Sequence, residues 1–178
     1  MPEPASRQTA CGVSPEAIAC AVQTFRGVAH RLELVAEVEG ISYYNDSIAT
    51  TPERALAGIR SFSEPVVLML GGRDKNLPLG DLAAEAMRRC RAVVLFGESG
   101  EKLGQAFRKT GANDVIVHRV EGLSEAVEAA RTLARLGDVV LLSPACTSYD
   151  AYDSFEQRGE HFRRLVGQMI KEAQLSLP

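Results

Sequence analysis

Long apolar runs are missing from this 178-residue chain. No stretch approaches the roughly 20 residues needed to span a bilayer, and the polar opening MPEPASRQT is no signal peptide. A cytoplasmic protein without a membrane partner is expected. Charge of one sign is lacking too: 20 Lys and Arg face 23 Asp and Glu, for a net charge of -3. That gives no sign of the basic surface by which nucleic acid is held, and no nucleic-acid partner is expected. Cysteines are few, and Cys11, Cys20, Cys90 and Cys146 show neither C-x-x-C spacing nor paired histidines, so no metal site and no disulfide framework is expected. Cys146 sits in a site-like loop without a histidine partner and reads as packing. The G-x-S-x-G elbow is absent as well, which removes a hydrolase built on Ser143 or Ser148. Most consequential, G-x-x-x-x-G-K-[ST] occurs nowhere and G-x-G-x-x-G follows no strand-like run. A chain without a phosphate cradle does not activate ATP by itself.

What is present is an ordinary globular composition, 46% hydrophobic and 24% charged, of a length that suits one core. Six β-rich runs stand out: 33–39, 41–45, 65–70, 92–96, 114–117 and 139–142. Glu39-Gly40 joins the first two as a tight hairpin. The later runs alternate with helical patterns over 52–62, 79–90, 101–109 and 123–136, where apolar residues recur at three- and four-residue steps, as in Leu82, Ala86, Met87 and Cys90. The pattern predicts an α/β fold: a Rossmann-like, mostly parallel six-stranded sheet with helices on both faces, starting with a β-hairpin. Ligands of such sheets lie beyond the carboxyl ends of the strands. The candidate loops are therefore Asn45-Asp46-Ser47, Gly71 to Lys75, Gly97-Glu98-Ser99, His118-Arg119 and Ser143-Pro144-Ala145. Gly71-Gly72 would let a backbone approach a ligand closely, with Lys75 as a mobile cation beside it. Plain turn architecture and a merely solvated lysine are the competing readings.

The stretch LLSPACTSYDAYDSFEQRGEHF, 141–162, runs from an apolar strand through a polar loop into an amphipathic helix expected to begin near 148–153. The first-turn amides of that helix, with Ser148 or Thr147, would hold a carboxylate or phosphate. Alternatively Ser148 or Asp150 only caps the helix. Residues 1–27 fall outside the sheet pattern. Ser14-Pro15-Glu16 followed by Ile18, Val22 and Phe25 reads as a capped amphipathic helix, and 26–31 as a linker. One helix does not bury its own apolar stripe, so this one is expected to pack on another domain.

Gly27-x-x-His30-Arg31, Asn45-Asp46-Ser47-x-Ala49-Thr50, Leu70-Gly71-Gly72-x-x-Lys75, Leu142-Ser143-Pro144-Ala145-Cys146-x-Ser148-x-Asp150 and Phe155-Glu156-x-Arg158-Gly159-x-x-Phe162 together resemble the carboxyl-terminal portion of the Mur ligase family. The likeness runs in order over about 12–171 and is sharpest for the branch that adds D-glutamate. The Asp-Asn-Pro-Arg motif of the diaminopimelate- or lysine-adding branch is missing. The resemblance implies that 1–29 are the terminal helix of a central ATPase domain plus linker, and 30–178 the carboxyl-terminal domain. It implies an ATP-dependent ligase joining D-glutamate to UDP-N-acetylmuramoyl-L-alanine in peptidoglycan synthesis. ATP and Mg2+ would serve the full-length enzyme, with none held tightly here, and the protein would be a monomer. By the same likeness His30, Arg31, Asn45 and Asp46 would bind ATP. Thr50, Lys75, Ser148, Tyr149 and Phe155 would bind D-glutamate. No residue would have a covalent role. Three positions depart from the family pattern: Ile48 stands where lysine is usual, Thr51 where Asn is usual, and Tyr149 where Leu or Phe is usual. A stand-alone amino-acid or nucleotide binding module using the same pocket is the competing reading.

Overall fold

The computed structural model describes residues 12–24, 27–111 and 115–175. Phe25, the Val22 side chain and Asp114, all placed in elements above, and Cys11 lie outside that description. The elements are α1 (Pro15–Thr24), β1 (Glu33–Val38), β2 (Ile41–Asn45), α2 (Pro52–Arg60), β3 (Val66–Gly71), α3 (Gly80–Arg89), β4 (Cys90–Phe96), α4 (Gly100–Arg108), β5 (Ile116–Arg119), α5 (Leu123–Leu133), β6 (Val139–Ala145) and α6 (Phe155–Leu175). They form one sheet in the order β1-β2-β6-β3-β4-β5. β1 and β2 pair antiparallel and every other pair is parallel. Val38 faces Ile41 across the hairpin. Glu39 and Gly40 both take positive φ, 53 and 73°, the backbone that lets a two-residue turn follow the twist of its strands.

Period-two alternation sorts the buried strands onto two faces. Val67, Met69, Val94, Val140 and Leu142 pack with Leu123, Val127, Phe162, Val166 and Met169 of α5 and α6. Val66, Leu68, Leu70, Val93, Leu95 and Leu141 pack with Ile59, Leu82, Leu103 and Phe107 of α2, α3 and α4. Each fully buried side chain of this size contributes about 1.5–3 kcal/mol. After β3 the chain builds outward to β4 and β5, then returns through α5 to place β6 on the other side of β3. The loops after β3 and β6 thus leave their strands in opposite directions, the arrangement that opens a crevice in a doubly wound sheet.

Several boundaries shift by one to three residues from the sequence reading, β5 running over Ile116–Arg119 instead of 114–117 and α5 stopping at Leu133 instead of 136, and two differences bear on the crevice. β6 continues through Ser143 and Pro144 to Ala145, because Gly71 pairs with Ala145 across an irregularity in the β3–β6 register. The last helix begins at Phe155, well after Ser148. The real start is Ser154, whose hydroxyl accepts from the Gln157 amide at 3.3 Å, while Gln157 Oε1 accepts from the Asp153 amide at 3.1 Å. That is a capping arrangement of the Ser-x-x-Gln kind. At the other end of the chain, Ser14 caps α1 as expected, its hydroxyl accepting from the Ala17 amide at 3.2 Å. Among the described side chains of α1 only Ile18 is partly covered and the rest are exposed.

α2 and α3, which flank one side of the crevice, are joined through Glu85. Its carboxylate accepts from Arg60 Nε at 3.1 Å, from Arg89 Nε at 2.8 Å and from Arg88. Hydrogen bonds from Arg88 and then Arg60 hold its carboxyl down at about 2 instead of the ordinary 4.5. A carboxylate with a depressed folded pKa contributes stability above its unfolded pKa and loses it as pH falls through the folded one. Glu85→Gln is therefore expected to lower the melting temperature at pH 7 and to flatten the decline in stability between pH 4.5 and 2, measured by thermal melts across that range.

Candidate functional site

The crevice at the strand carboxyl ends is organised from beneath by Arg158, in the first turns of α6 and 0% exposed. Its guanidinium donates to four backbone carbonyls: Nη1 to Gly71 at 3.3 Å and Thr147 at 3.1 Å, Nη2 to Ser47 at 3.0 Å and Cys146 at 3.1 Å. Those carbonyls end β3 or follow β6 and β2, so one side chain fastens three neighbouring strand ends. Burial pulls its pKa down to about 10, opposed by Asp150, so the group stays charged at neutral pH. Gly159 lies alongside because a β-carbon there would stand 2.2 Å from His30 Nδ1 and 2.6 Å from Ser47 Oγ.

The Gly71-Gly72 turn serves the same closure. At Gly72, φ is 124° and a β-carbon would meet the Thr147 carbonyl oxygen at 2.0 Å; at Gly71 it would meet the Phe96 carbonyl oxygen at 2.3 Å. The expected close approach is thus made by neighbouring backbone instead of a ligand. Arg73 and Thr147 exchange amide–carbonyl bonds of 2.9 and 3.0 Å, and the Thr147 hydroxyl also donates to the Arg73 carbonyl at 3.1 Å. Thr147 is therefore committed to joining the loops. Ser148 and Asp150 are not helix caps. Ser148 is 2% exposed, and its carbonyl accepts from the amides of Ala151 and Tyr152 in a separate turn. Asp150 accepts from the Glu98 amide at 3.2 Å, tying this loop to the end of β4.

Above these fastenings lie the polar tips. Lys75 Nζ donates to Thr50 Oγ1 at 3.2 Å, bringing together two of the five residues expected to hold an amino acid. Lys75 is exposed. Tyr149, 61% exposed, projects from the loop after β6. Phe155 packs edge-on against His30, ring centroids 6.0 Å apart, so it borders the other group of candidates.

That second group divides in two. His30 and Asn45 are buried behind the surface. His30 adopts φ 63°, donates its amide to Glu33 Oε2 at 2.9 Å and lies 3.0 Å from Asn45 Nδ2 through Nδ1. Asn45 Nδ2 also reaches Glu33 Oε2 at 3.2 Å, and its Oδ1 accepts from the Ser47 amide at 3.1 Å. With every polar atom so engaged, Asn45 acts by holding His30. Burial pushes the Glu33 carboxyl up, but the His30 amide and Arg163 bring it below its ordinary value. Arg31 and Asp46, by contrast, line an open cavity of about 360 Å3 together with Ile48, Arg54 and Gly58. Asp46 Oδ1 accepts from the Leu32 amide at 3.2 Å and Oδ2 from the Ser143 hydroxyl at 2.8 Å. Burial raises its pKa, against the opposing pull of those two donors and of Arg31 and Arg54. Ser143 stood in one of the candidate loops without a role of its own, and its hydroxyl is now seen to serve Asp46. Arg54 was not among the sequence candidates, although it follows Pro52-Glu53 at a recognisable helix start.

A buried carboxylate between guanidiniums, with a lysine and hydroxyls on adjoining loops, defines a doubly wound α/β domain suited to polar, anionic ligands. Residues 30–146 match the family model described as "Mur ligase, glutamate ligase domain", and the chain belongs to that family. Among curated relatives it is 45% identical over 157 residues to the UDP-N-acetylmuramoylalanine–D-glutamate ligase of Clostridium perfringens (strain 13 / Type A), covering 86% of this chain and 34% of the relative. It is 47% identical over 165 residues to the protein of the same name from Roseiflexus sp. (strain RS-1), covering 91% and 35%. The chain thus spans about a third of the length of these relatives. A solved murein peptide ligase from Psychrobacter arcticus 273-4 shares the fold, with a TM-score of 0.54 at 16% identity over 89% of this chain and 35% of that one.

Replacing Arg158 by Met strips charged donors from four buried carbonyls and is expected to cost about 3 kcal/mol or more. The melting temperature should fall by roughly 6–12 °C. Amide exchange at Arg73 and Thr147 should accelerate, as measured by hydrogen–deuterium exchange.

Proposed function

We propose that this chain is the domain that brings D-glutamate and part of ATP to an activated carboxylate, in a cytoplasmic ligase joining D-glutamate to UDP-N-acetylmuramoyl-L-alanine. The observation that carries the reading is the Lys75–Thr50 contact of 3.2 Å, which sets an exposed ammonium and a hydroxyl side by side on two crevice loops. The shared name of the curated relatives supports the choice of substrate.

In the proposed reaction the γ-phosphoryl of ATP passes to the substrate carboxylate. The neutral amine of D-glutamate attacks the carbonyl carbon of the acyl phosphate, a C–N bond forms, phosphate leaves with the C–O bonding pair, and the surplus N–H proton passes to solvent. D-glutamate has two carboxylates, each needing a cation or a set of donors. Lys75 and Thr50 would take one, and Ser148 with the Tyr149 amide the other. Phe155 would close the apolar side. Asp46 would accept a hydroxyl of the nucleotide and Arg31 would face its phosphates, while His30 and Asn45 fix the segment that carries Arg31. Holding the amine against the acyl phosphate in a dry cleft can supply about 7–11 kcal/mol of the barrier reduction. This chain's share of that is placement. Among the described residues no three His, Cys, Asp or Glu side chains gather where a metal could be held. Residues 1–29 would belong to a neighbouring ATPase domain. The exposure of α1 and the start of the family match at residue 30 support that division.

Combining the chain with the amino-terminal and central portions of a D-glutamate ligase should yield ADP release that depends on D-glutamate, followed by a coupled assay. Lys75→Ala should reduce that rate about tenfold to a hundredfold and raise the apparent KM for D-glutamate. A rate indifferent to D-glutamate, or to Lys75→Ala, would sink the reading.

A further inference from the structure

The cavity shared by Arg31 and Asp46 has a second guanidinium on its wall, Arg54. Arg54 occupies the first turn of α2, behind Pro52 and Glu53. Asp46 is 5% exposed and anchored through both carboxylate oxygens, so its remaining lone pairs are fixed in direction. Gly58 is packed beneath it: a β-carbon there would stand 3.2 Å from both Asp46 Oδ2 and Ser143 Oγ. Ile48, on the same wall, offers no charge, and its carbonyl accepts from Arg54 Nη1 at 3.3 Å. That bond occupies one of the five N–H donors of a guanidinium. It also holds the Arg54 head beside the loop that follows β2.

An anchored acceptor flanked by two guanidiniums suits a ligand that carries hydroxyls and several anionic oxygens together. A nucleoside di- or triphosphate has that chemistry, its ribose meeting the carboxylate and its phosphates the cations. We propose that Arg54 is a phosphate-binding residue of this cavity, acting with Arg31 and supplying the positive charge that Ile48 does not. The assignment rests on the reading of the cavity as facing ATP. It adds a residue and a division of labour: Asp46 takes the hydroxyl side, Arg31 and Arg54 the anionic side.

The test is a titration of the whole 178-residue chain with ADP and, separately, with adenosine, followed by heteronuclear NMR at millimolar ligand. Arg54→Ala should weaken ADP about fivefold to tenfold, leave adenosine unchanged, and flatten the salt dependence of ADP binding. Arg54→Lys should keep most of the affinity. In the Arg54→Ala background, Ile48→Lys should restore it, because a cation then enters the same cavity from the neighbouring wall. The amide spectrum away from the cavity reports whether each variant is folded. If Arg54→Ala binds ADP as tightly as the unaltered chain while Asp46→Asn loses it, the Arg54 assignment is overturned and the nucleotide reading survives. If the unaltered chain shows no shifts at this cavity with ADP, both are overturned.

Discussion

The guanidinium of Arg158 is the constraint on which the crevice depends. Strands β2, β6 and β3 end side by side, and each end turns backbone carbonyls toward the space between them. Four such oxygens converge on one buried cation, and a charged donor to each is worth more than a neutral one. Among the described residues, Nε of Arg158 and Oγ of Ser47 remain buried without partners. The arrangement thus accepts two local costs to hold three loops in register. Everything polar above it inherits that register. Thr50 lies three residues after Ser47, Lys75 four after Gly71, and Ser148 immediately after Thr147, so each candidate ligand contact is a short reach from a carbonyl that Arg158 holds.

A second consequence concerns where freedom is left. Below the surface, the Arg73–Thr147 pairing, the Asp150–Glu98 bond and the His30–Asn45–Glu33 cluster leave little slack. Above it, Lys75, Arg31, Arg54 and Tyr149 are exposed. Long charged side chains in high dielectric gain little from a single contact. The site is therefore tightly bonded in its backbone and solvent-facing at its tips.

Much of this was legible in the residues. The two-residue hairpin, the alternation of apolar runs and the helical spacings are local signals, and the six strands and the helices fall where those signals lie. The two-faced core follows from the same patterns, since period two on a strand admits no other sorting. The last helix starts just past the expected 148–153, because the polar loop 147–153 is rich in residues that cap helices. The decisive signal was the Ser154-x-x-Gln157 pair, one turn further on. The Gly71-Gly72 turn was legible as a close approach, but its partner was not: only the sheet order brings the Thr147 carbonyl and Phe96 to those two positions. Arg158 lies in a recognisable stretch, yet its four acceptors come from residues 11 to 111 positions away. No periodicity reports a contact of that range.

The same logic explains why a buried arginine, and not a lysine or an apolar residue, holds this place. An ammonium has three donors on one point and would leave at least one of four separated carbonyls unmet, whereas the planar fork reaches two on each terminal nitrogen. An apolar side chain of equal volume would take the cation from all four, leaving the Thr147 carbonyl only its Arg73 amide, and each buried carbonyl left without a donor costs about 1–3 kcal/mol. Gly159 completes the argument. The helix must approach near enough for the fork to reach Ser47 on one side and Gly71 on the other, and at that separation the next residue has no room for a β-carbon between His30 and Ser47. The Arg-Gly pair is thus one device: the cation fastens the loops that carry Thr50, Lys75 and Ser148, and the glycine lets it stand close enough to His30 to join those loops to the His30–Asn45–Glu33 cluster.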